Sequence, residues 1–244
     1  MATFVLVHGG GHGAWCWERL VPLLADAGHR VFTPVLTGVG ERFAELTVDV
    51  GLETHIDDVV ALFEAEKLAD VILCGHSYGG TVITGVAGRV PERIRELVFL
   101  DAPHPRHGED LCDASPGGLS VFEQLRREVD GVDLTLFPEP GIIAAFGLTD
   151  PADVEWAMQH LTPHPMKCFL ERLDLADPAR VAAIPRTSID CKETLERRGA
   201  MIRERAKAAD RCYEIDTGHD LMITRPRELA EMLLEIAGIP IAAR

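Results

Sequence analysis

The chain has 244 residues, near the size at which one α/β core is complete without dividing into separate domains. Its 47% hydrophobic and 26% charged content describes a soluble globular protein, and a formal net charge of −15 argues against a nucleic-acid partner. The first apolar run ends at His8, too short to cross a bilayer, and no basic stretch precedes it, so the expectation is a cytoplasmic protein with no membrane partner. Cys16, Cys74, Cys112, Cys168, Cys191 and Cys212 form no C-x-x-C pair and read as reduced thiols, with no metal site.

In chain order, Thr3–His8 is a short, nearly continuous apolar run, the mark of a strand buried on both faces. A helical stretch follows over Trp15–Ala27 and stops at Gly28–His29; Arg30–Val35 is the next strand. A polar loop leads to a helix starting at Thr54, where Thr54–Asp57 resembles a capping box with Asp in place of Glu. "DVILCG" predicts a strand, Tyr78–Arg89 a helix and Glu96–Ala102 another strand, an alternation that implies parallel strands joined by crossovers. From about 103 to 185 it breaks down into proline-punctuated amphipathic stretches such as "DPADVEWAMQHL", read as an inserted helical cap. Strands resume at Arg186–Cys191 and Arg211–Asp216, and a last amphipathic helix runs over Arg225–Ala237. The division is therefore a core of 1–102 and 186–244 with a cap of 103–185.

Three segments carry chemistry. In "GHSYG" the serine stands between a strand and a helix. A tight turn there holds Ser77 clear of the sheet as a nucleophile, and Gly75 and Gly79 let neighbouring chain come close. The glycine-rich "HGGGHGAW" after the first strand suits an oxyanion hole, with donors from the backbones of Gly10 and Tyr78. It lacks the G-x-G-x-x-G and G-K-[ST] patterns of phosphate loops. Of ten histidines, His219 in "DTGHDLMITRP" lies just past a strand end, late in the chain and beside glycine, where the base of a Ser-acid-His order belongs.

Together these segments resemble the α/β-hydrolase fold: a mostly parallel central sheet flanked by helices, with a small cap. More narrowly they resemble the branch of plant methyl-salicylate-type esterases, plant hydroxynitrile lyases and bacterial relatives. The carrying residues are "FVLVHGGGHGAWCWERLVPLLADAGHRV", "VILCGHSYGG", "LVFLDAP" and "TGHDLMITRPRELAEMLL", with a looser likeness in the cap. The resemblance implies Ser77 as nucleophile, His219 as base and the Gly10 and Tyr78 N–H groups as oxyanion donors. In the lyases a threonine follows the first-strand histidine and a lysine follows the catalytic one. Gly9 and Asp220 stand at those positions here, which disfavours a lyase.

The acid departs from the pattern. Family members read Y-I-x-C-x-x-D after the strand that follows the cap; this chain places Thr194 at the aspartate position and Glu193 one residue earlier. Glu193 is the preferred acid, its longer side chain compensating for the displacement. Asp101 is the second choice, with Asp190 and Asp216 as further candidates. His104, Arg106 and His107 are either contacts for a substrate carboxylate or phenol or a solvated turn. Phe122, Phe137, Phe146, Trp156 and Phe169 either line an aromatic-sized pocket or form cap core. Trp15 and Trp17 read as packing behind the oxyanion loop. The expected activity is cofactor-free hydrolysis of a small carboxylic ester, a methyl or short alkyl ester of an aromatic or dicarboxylic metabolite, through a Ser77 acyl-enzyme. A non-hydrolytic isomerase or lyase, or a ligand-binding protein on the same fold, stands as the alternative while the acid position is unsettled. The resemblance leaves oligomeric state open and admits a homodimer through the cap.

Overall fold

A computed structural model describes residues 1–115, 118–195 and 197–238; residues 239–244 of the second core segment and 116–117 of the cap lie outside the described residues. Among the described residues there are nine strands: β1 Thr3–Val7, β2 Arg30–Phe32, β3 Val71–His76, β4 Ile94–Leu100, β5 Arg127–Val129, β6 Val132–Thr135, β7 His164–Pro165, β8 Arg186–Cys191 and β9 Arg211–Ile215. Six of them form one parallel sheet in the order β2-β1-β3-β4-β8-β9. Helices α1 (Val21–Asp26), α2 (Leu52–Ala65) and α3 (Gly79–Arg89) follow β1, β2 and β3, and the helix Pro226–Ile236 closes the core.

Strand side chains alternate between two faces, and each face has its own core. Val5, Val7, Leu73, Leu97 and Phe99 pack on one side with Ile56, Val59 and Phe63 of α2 and Val82 and Val86 of α3. Phe4, Leu6, Cys74, Val98, Leu100 and Ile189 pack on the other with Trp15, Trp17, Leu24, Leu229 and Leu233. Continuous apolar runs are therefore required in β1, β3 and β4, because both of their faces are buried.

Local chemistry shifts several boundaries. The stretch expected as one helix over 15–27 is a 3-10 turn, Ala14–Trp17, then α1, whose first turn holds Pro22. Proline lacks an N–H and fits only where that donor would be unpaired, so the helix restarts there. Helix α2 begins before Thr54, whose hydroxyl sits at the third helical position and accepts from the Gly51 N–H at 3.2 Å.

The cap is not wholly helical, a correction to the sequence reading. Besides the helices Pro140–Ala145 and Pro151–His160, it holds an antiparallel sheet, β5-β6-β7. β5 and β6 are joined at Asp130–Gly131, with φ of +53° and +80°. Asp-Gly is a strong signal for such a two-residue hairpin turn, and it stands in the sequence.

Candidate active site

The turn between β3 and α3 carries Ser77 at φ +53°, a left-handed backbone that costs a non-glycine residue energy. Its neighbours hold it there. Ser77 N–H donates to Leu100 O at 3.1 Å, and a Cβ on Gly75 or Gly79 would fall 2.4 Å from Gly79 O or 2.6 Å from Val7 O. The G-x-S-x-G spacing is thus a packing requirement of the elbow. Tyr78 is buried and anchored: its hydroxyl donates to His55 Nδ1 at 2.9 Å, while His55 Nε2–H donates to Thr37 O at 2.9 Å.

Ser77 and His219 line the same cavity, of about 290 Å³, with Asp101, Thr194 and Arg198. His219 follows β9, as expected, and its backbone carbonyl accepts from His76 Nε2 at 3.0 Å. The partner of its imidazole differs from the preferred expectation. His219 Nδ1 lies 2.5 Å from Asp101 Oδ2, whereas the Glu193 carboxylate is half exposed and faces Arg197 at 3.9 Å. Glu193 and Thr194 belong to the short helix Lys192–Leu195, where one residue turns a side chain by about 100°. The displacement is angular, so added length does not bring Glu193 back. Asp216 is exposed and lines a separate polar recess with Glu193.

Asp101 is itself held in a left-handed conformation, φ +46°, at the end of β4. Its side chain is fully buried. Oδ1 accepts from Cys191 N–H at 3.0 Å and Thr194 Oγ1 at 2.7 Å, and lies 2.8 Å from Arg198 Nη2. Arg198 also donates to Asp101 O at 2.7 Å and to Asp190 Oδ1 at 2.6 Å. Burial raises the Asp101 pKa, but the bond from His219, the Arg198 charge and the Thr194 hydroxyl outweigh it and bring it to about 2. Asp190 is not at the histidine. Burial pushes its pKa up, and it accepts from Ser188 Oγ at 2.7 Å.

Sequence reasoning missed a second buried pair. His12, in the glycine-rich loop, places Nδ1 2.9 Å from Gly10 O and Nε2 3.2 Å from Asp220 Oδ2. Both partners are acceptors, so the ring carries both protons. Burial works against both charges, yet their mutual attraction raises the His12 pKa and lowers that of Asp220. The pair fixes the Gly10 carbonyl away from its own N–H, and Trp15 stacks on the His12 ring at 5.4 Å. Neither the Gly10 nor the Tyr78 N–H enters a turn or cap bond among the described residues. Asp220 is therefore a loop anchor and does not face the cavity.

Apart from Ser115 the rest of the cavity wall is apolar, with Pro103, Leu111, Val121, Phe122, Leu136, Ile142, Phe146 and Ile202 among it. Of the aromatics singled out, Phe122 and Phe146 face it. Phe169 packs on Tyr78, Trp156 on Trp15, and Phe137 under Arg127. His104, Arg106 and His107 line a different cavity. His55, His164 and Cys168 place ligand-type atoms within 4.8 Å of one another. Both His55 nitrogens are engaged, however, and His164 Nδ1 accepts from Gly11 N–H at 3.2 Å. His55 is thus committed to Tyr78 and Thr37, and His164 to Gly11 through one of its two ring nitrogens.

A strand–serine–helix elbow on a parallel sheet, with a histidine–carboxylate pair beside it, defines an α/β hydrolase. The chain belongs to the alpha/beta hydrolase family, which it matches over residues 4–232. It is 38% identical to a carbendazim hydrolyzing esterase of Nocardioides sp. (strain SG-4G), across 96% of this chain and 98% of that one. It is also 29% identical to methylesterase 1 of Arabidopsis thaliana, across 96% and 95%. Among solved structures it resembles an extracellular alpha/beta-hydrolase from a Paenibacillus species, described as sharing structural and functional homology with tobacco salicylic acid binding protein 2. There the TM-score is 0.83 at 29% identity, covering 96% of this chain and 98% of the other. No helix among the described residues is long and apolar enough to cross a membrane.

Proposed function

We propose that this chain is a serine carboxylesterase acting on small, uncharged esters, with Ser77 as nucleophile, His219 as base and Asp101 as the acid. The observation that carries the reading is the 2.5 Å contact of His219 Nδ1 with a buried Asp101 carboxylate, in a cavity that also holds the serine of the elbow. The esterase names of the relatives support the reaction class.

In this mechanism Ser77 Oγ attacks the ester carbonyl while His219 Nε2 takes its proton. The oxygen that gains the charge faces the N–H groups of Gly10 and Tyr78. Collapse breaks the acyl–oxygen bond, and His219 gives the proton to the departing alcohol. Water, deprotonated by the same imidazole, then releases the acid. Asp101 stays ionised throughout and orients the ring through Nδ1. With that carboxylate in place, the motive for a non-hydrolytic reading, the threonine at the acid position, falls away.

The lining supports an uncharged substrate. Among the described residues Arg198 is the one arginine or lysine on the wall, and its guanidinium is committed to Asp101 and Asp190. A second ionised carboxylate would be buried there without a partner, at a cost of several kcal/mol. Apolar aryl or alkyl groups fit, whereas half-esters of dicarboxylic acids do not.

The test is hydrolysis of a panel of methyl and p-nitrophenyl esters by wild type and Ser77→Ala, with fluorophosphonate labelling of both. Turnover and labelling that vanish in the variant support the reading. Turnover that survives in Ser77→Ala, or no turnover of any ester, overturns it.

A further inference from the structure

The segment with His104, Arg106 and His107, read from the sequence as either substrate contacts or a solvated turn, walls a second cavity of about 470 Å³ that shares no lining residue with the one at Ser77. Its floor is apolar, from Leu97, Phe99, Leu175 and Val181. In a chain of net charge −15, three arginines nevertheless converge on its wall: Arg106, Arg186 and Arg205. Arg205 is neutralised by Glu109 through two bonds of 2.6 Å. Arg106 is exposed, and its guanidinium enters no hydrogen bond or ion pair among the described residues. Arg186 Nε is buried and has no partner among them either.

His104 lies on the same wall. It is 5% exposed and its ring stacks on Phe99 at 3.9 Å. Its Nε2 lies 3.2 Å from Ser188 Oγ, whose own proton goes to Asp190 at 2.7 Å, so Nε2 is the donor and Nδ1 carries a lone pair with no partner. Burial first, and then the charges of Arg186, Arg198 and Arg205, bring its pKa to about 3. Buried polar atoms are normally partnered. The buried Arg186 Nε–H is a donor that calls for an acceptor, and with the exposed Arg106 guanidinium beside it and an apolar floor beneath, the cavity suits an anion with an apolar body.

We propose that this cavity binds a small carboxylate with an apolar body, the carboxylate set against Arg186 and Arg106 and the body over Leu97, Phe99 and Val181. The site does not depend on the assignment of Ser77, His219 and Asp101. It is a ligand site beside the catalytic one.

The test is titration of the protein with hexanoate, followed by calorimetry and by amide chemical shifts, with hexan-1-ol as the uncharged control. Ala182, in the second cavity, and Ala145, in the catalytic one, are both exposed, so Ala182→Trp and Ala145→Trp block one cavity each at little cost to folding. The proposal expects saturable millimolar binding that persists in Ala145→Trp and is lost in Ala182→Trp. It also expects binding about tenfold weaker in Arg106→Gln, with a further loss in Arg106→Gln/Arg186→Gln. Three results overturn it: no saturable binding to wild type up to about 10 mM; binding lost in Ala145→Trp but kept in Ala182→Trp; or hexan-1-ol binding as well as hexanoate.

Discussion

The hydroxyl of Thr194 lies 2.7 and 2.9 Å from the two carboxylate oxygens of Asp101, 93 residues away in the chain. The residue that stands where relatives place an acid thus donates to the carboxylate that faces His219. On the proposed assignment the acid has moved from the end of β8 to the end of β4, and Thr194 positions it there.

Thr194→Val removes that donor while keeping the shape. A hydrogen bond to a charged group contributes about 1.5–3 kcal/mol, so turnover should fall about tenfold or more in Thr194→Val and recover in Thr194→Ser. Equal rates in the valine and serine variants would show that the hydroxyl does not position Asp101.

The His12–Asp220 pair is fully buried, and removing one partner of such a pair costs roughly 3–5 kcal/mol. Asp220→Asn should therefore lose much of the stability measured by urea unfolding. The raised His12 pKa means its contribution is complete below its unfolded value, about 6.5, and fades as pH rises through the folded value. The lowered Asp220 pKa means its contribution is complete above about 3.9 and fades as pH falls through the folded value. The gap between wild type and Asp220→Asn should be widest between those limits and narrow towards alkaline pH. A gap that is constant from pH 5 to 9 contradicts the ionised pair.

Gly9 stands where the lyases of this branch carry threonine. A Cβ there would meet His76 Nδ1 at 2.8 Å and Ser77 Cβ at 3.0 Å. Overpacking of this kind costs about 1–3 kcal/mol, so Gly9→Thr should lower the melting temperature by roughly 2–4 °C per kcal/mol and reduce esterase turnover. A variant with unchanged melting temperature and rate would show that the elbow can yield.

Charge on the substrate should matter more than size. Relative to methyl phenylacetate, monomethyl succinate should have a kcat/KM lower by roughly 10²-fold, because its free carboxylate is buried unpaired. Comparable values for the two esters would mean that Arg198 is available to substrate.

The elbow, the parallel strand–helix alternation of its flanks and the place of His219 were legible because their signals are local: continuous apolar runs, a glycine on either side of Ser77, a histidine just past a strand. The carboxylate that contacts His219 was not. Asp101 was visible only as a second choice, since the contacts that hold it come from Thr194 and Arg198, in the core segment that follows the cap. Glu193 misled because its one-residue offset looked like a matter of length and is one of helical angle. His12 gave no local sign, as its partner lies 208 residues on. The Asp130–Gly131 hairpin was written in the sequence, and the helical pattern around it hid it.

Hydrolysis of a neutral ester such as methyl phenylacetate by wild type, Asp101→Asn and Glu193→Gln tests the centre of the account. Loss of the acid that orients the base costs ~10⁴-fold in a Ser-His-Asp enzyme, so a loss of roughly that order is predicted for Asp101→Asn, with Glu193→Gln close to wild type. A near-wild-type rate in Asp101→Asn, or a large loss in Glu193→Gln, would contradict it.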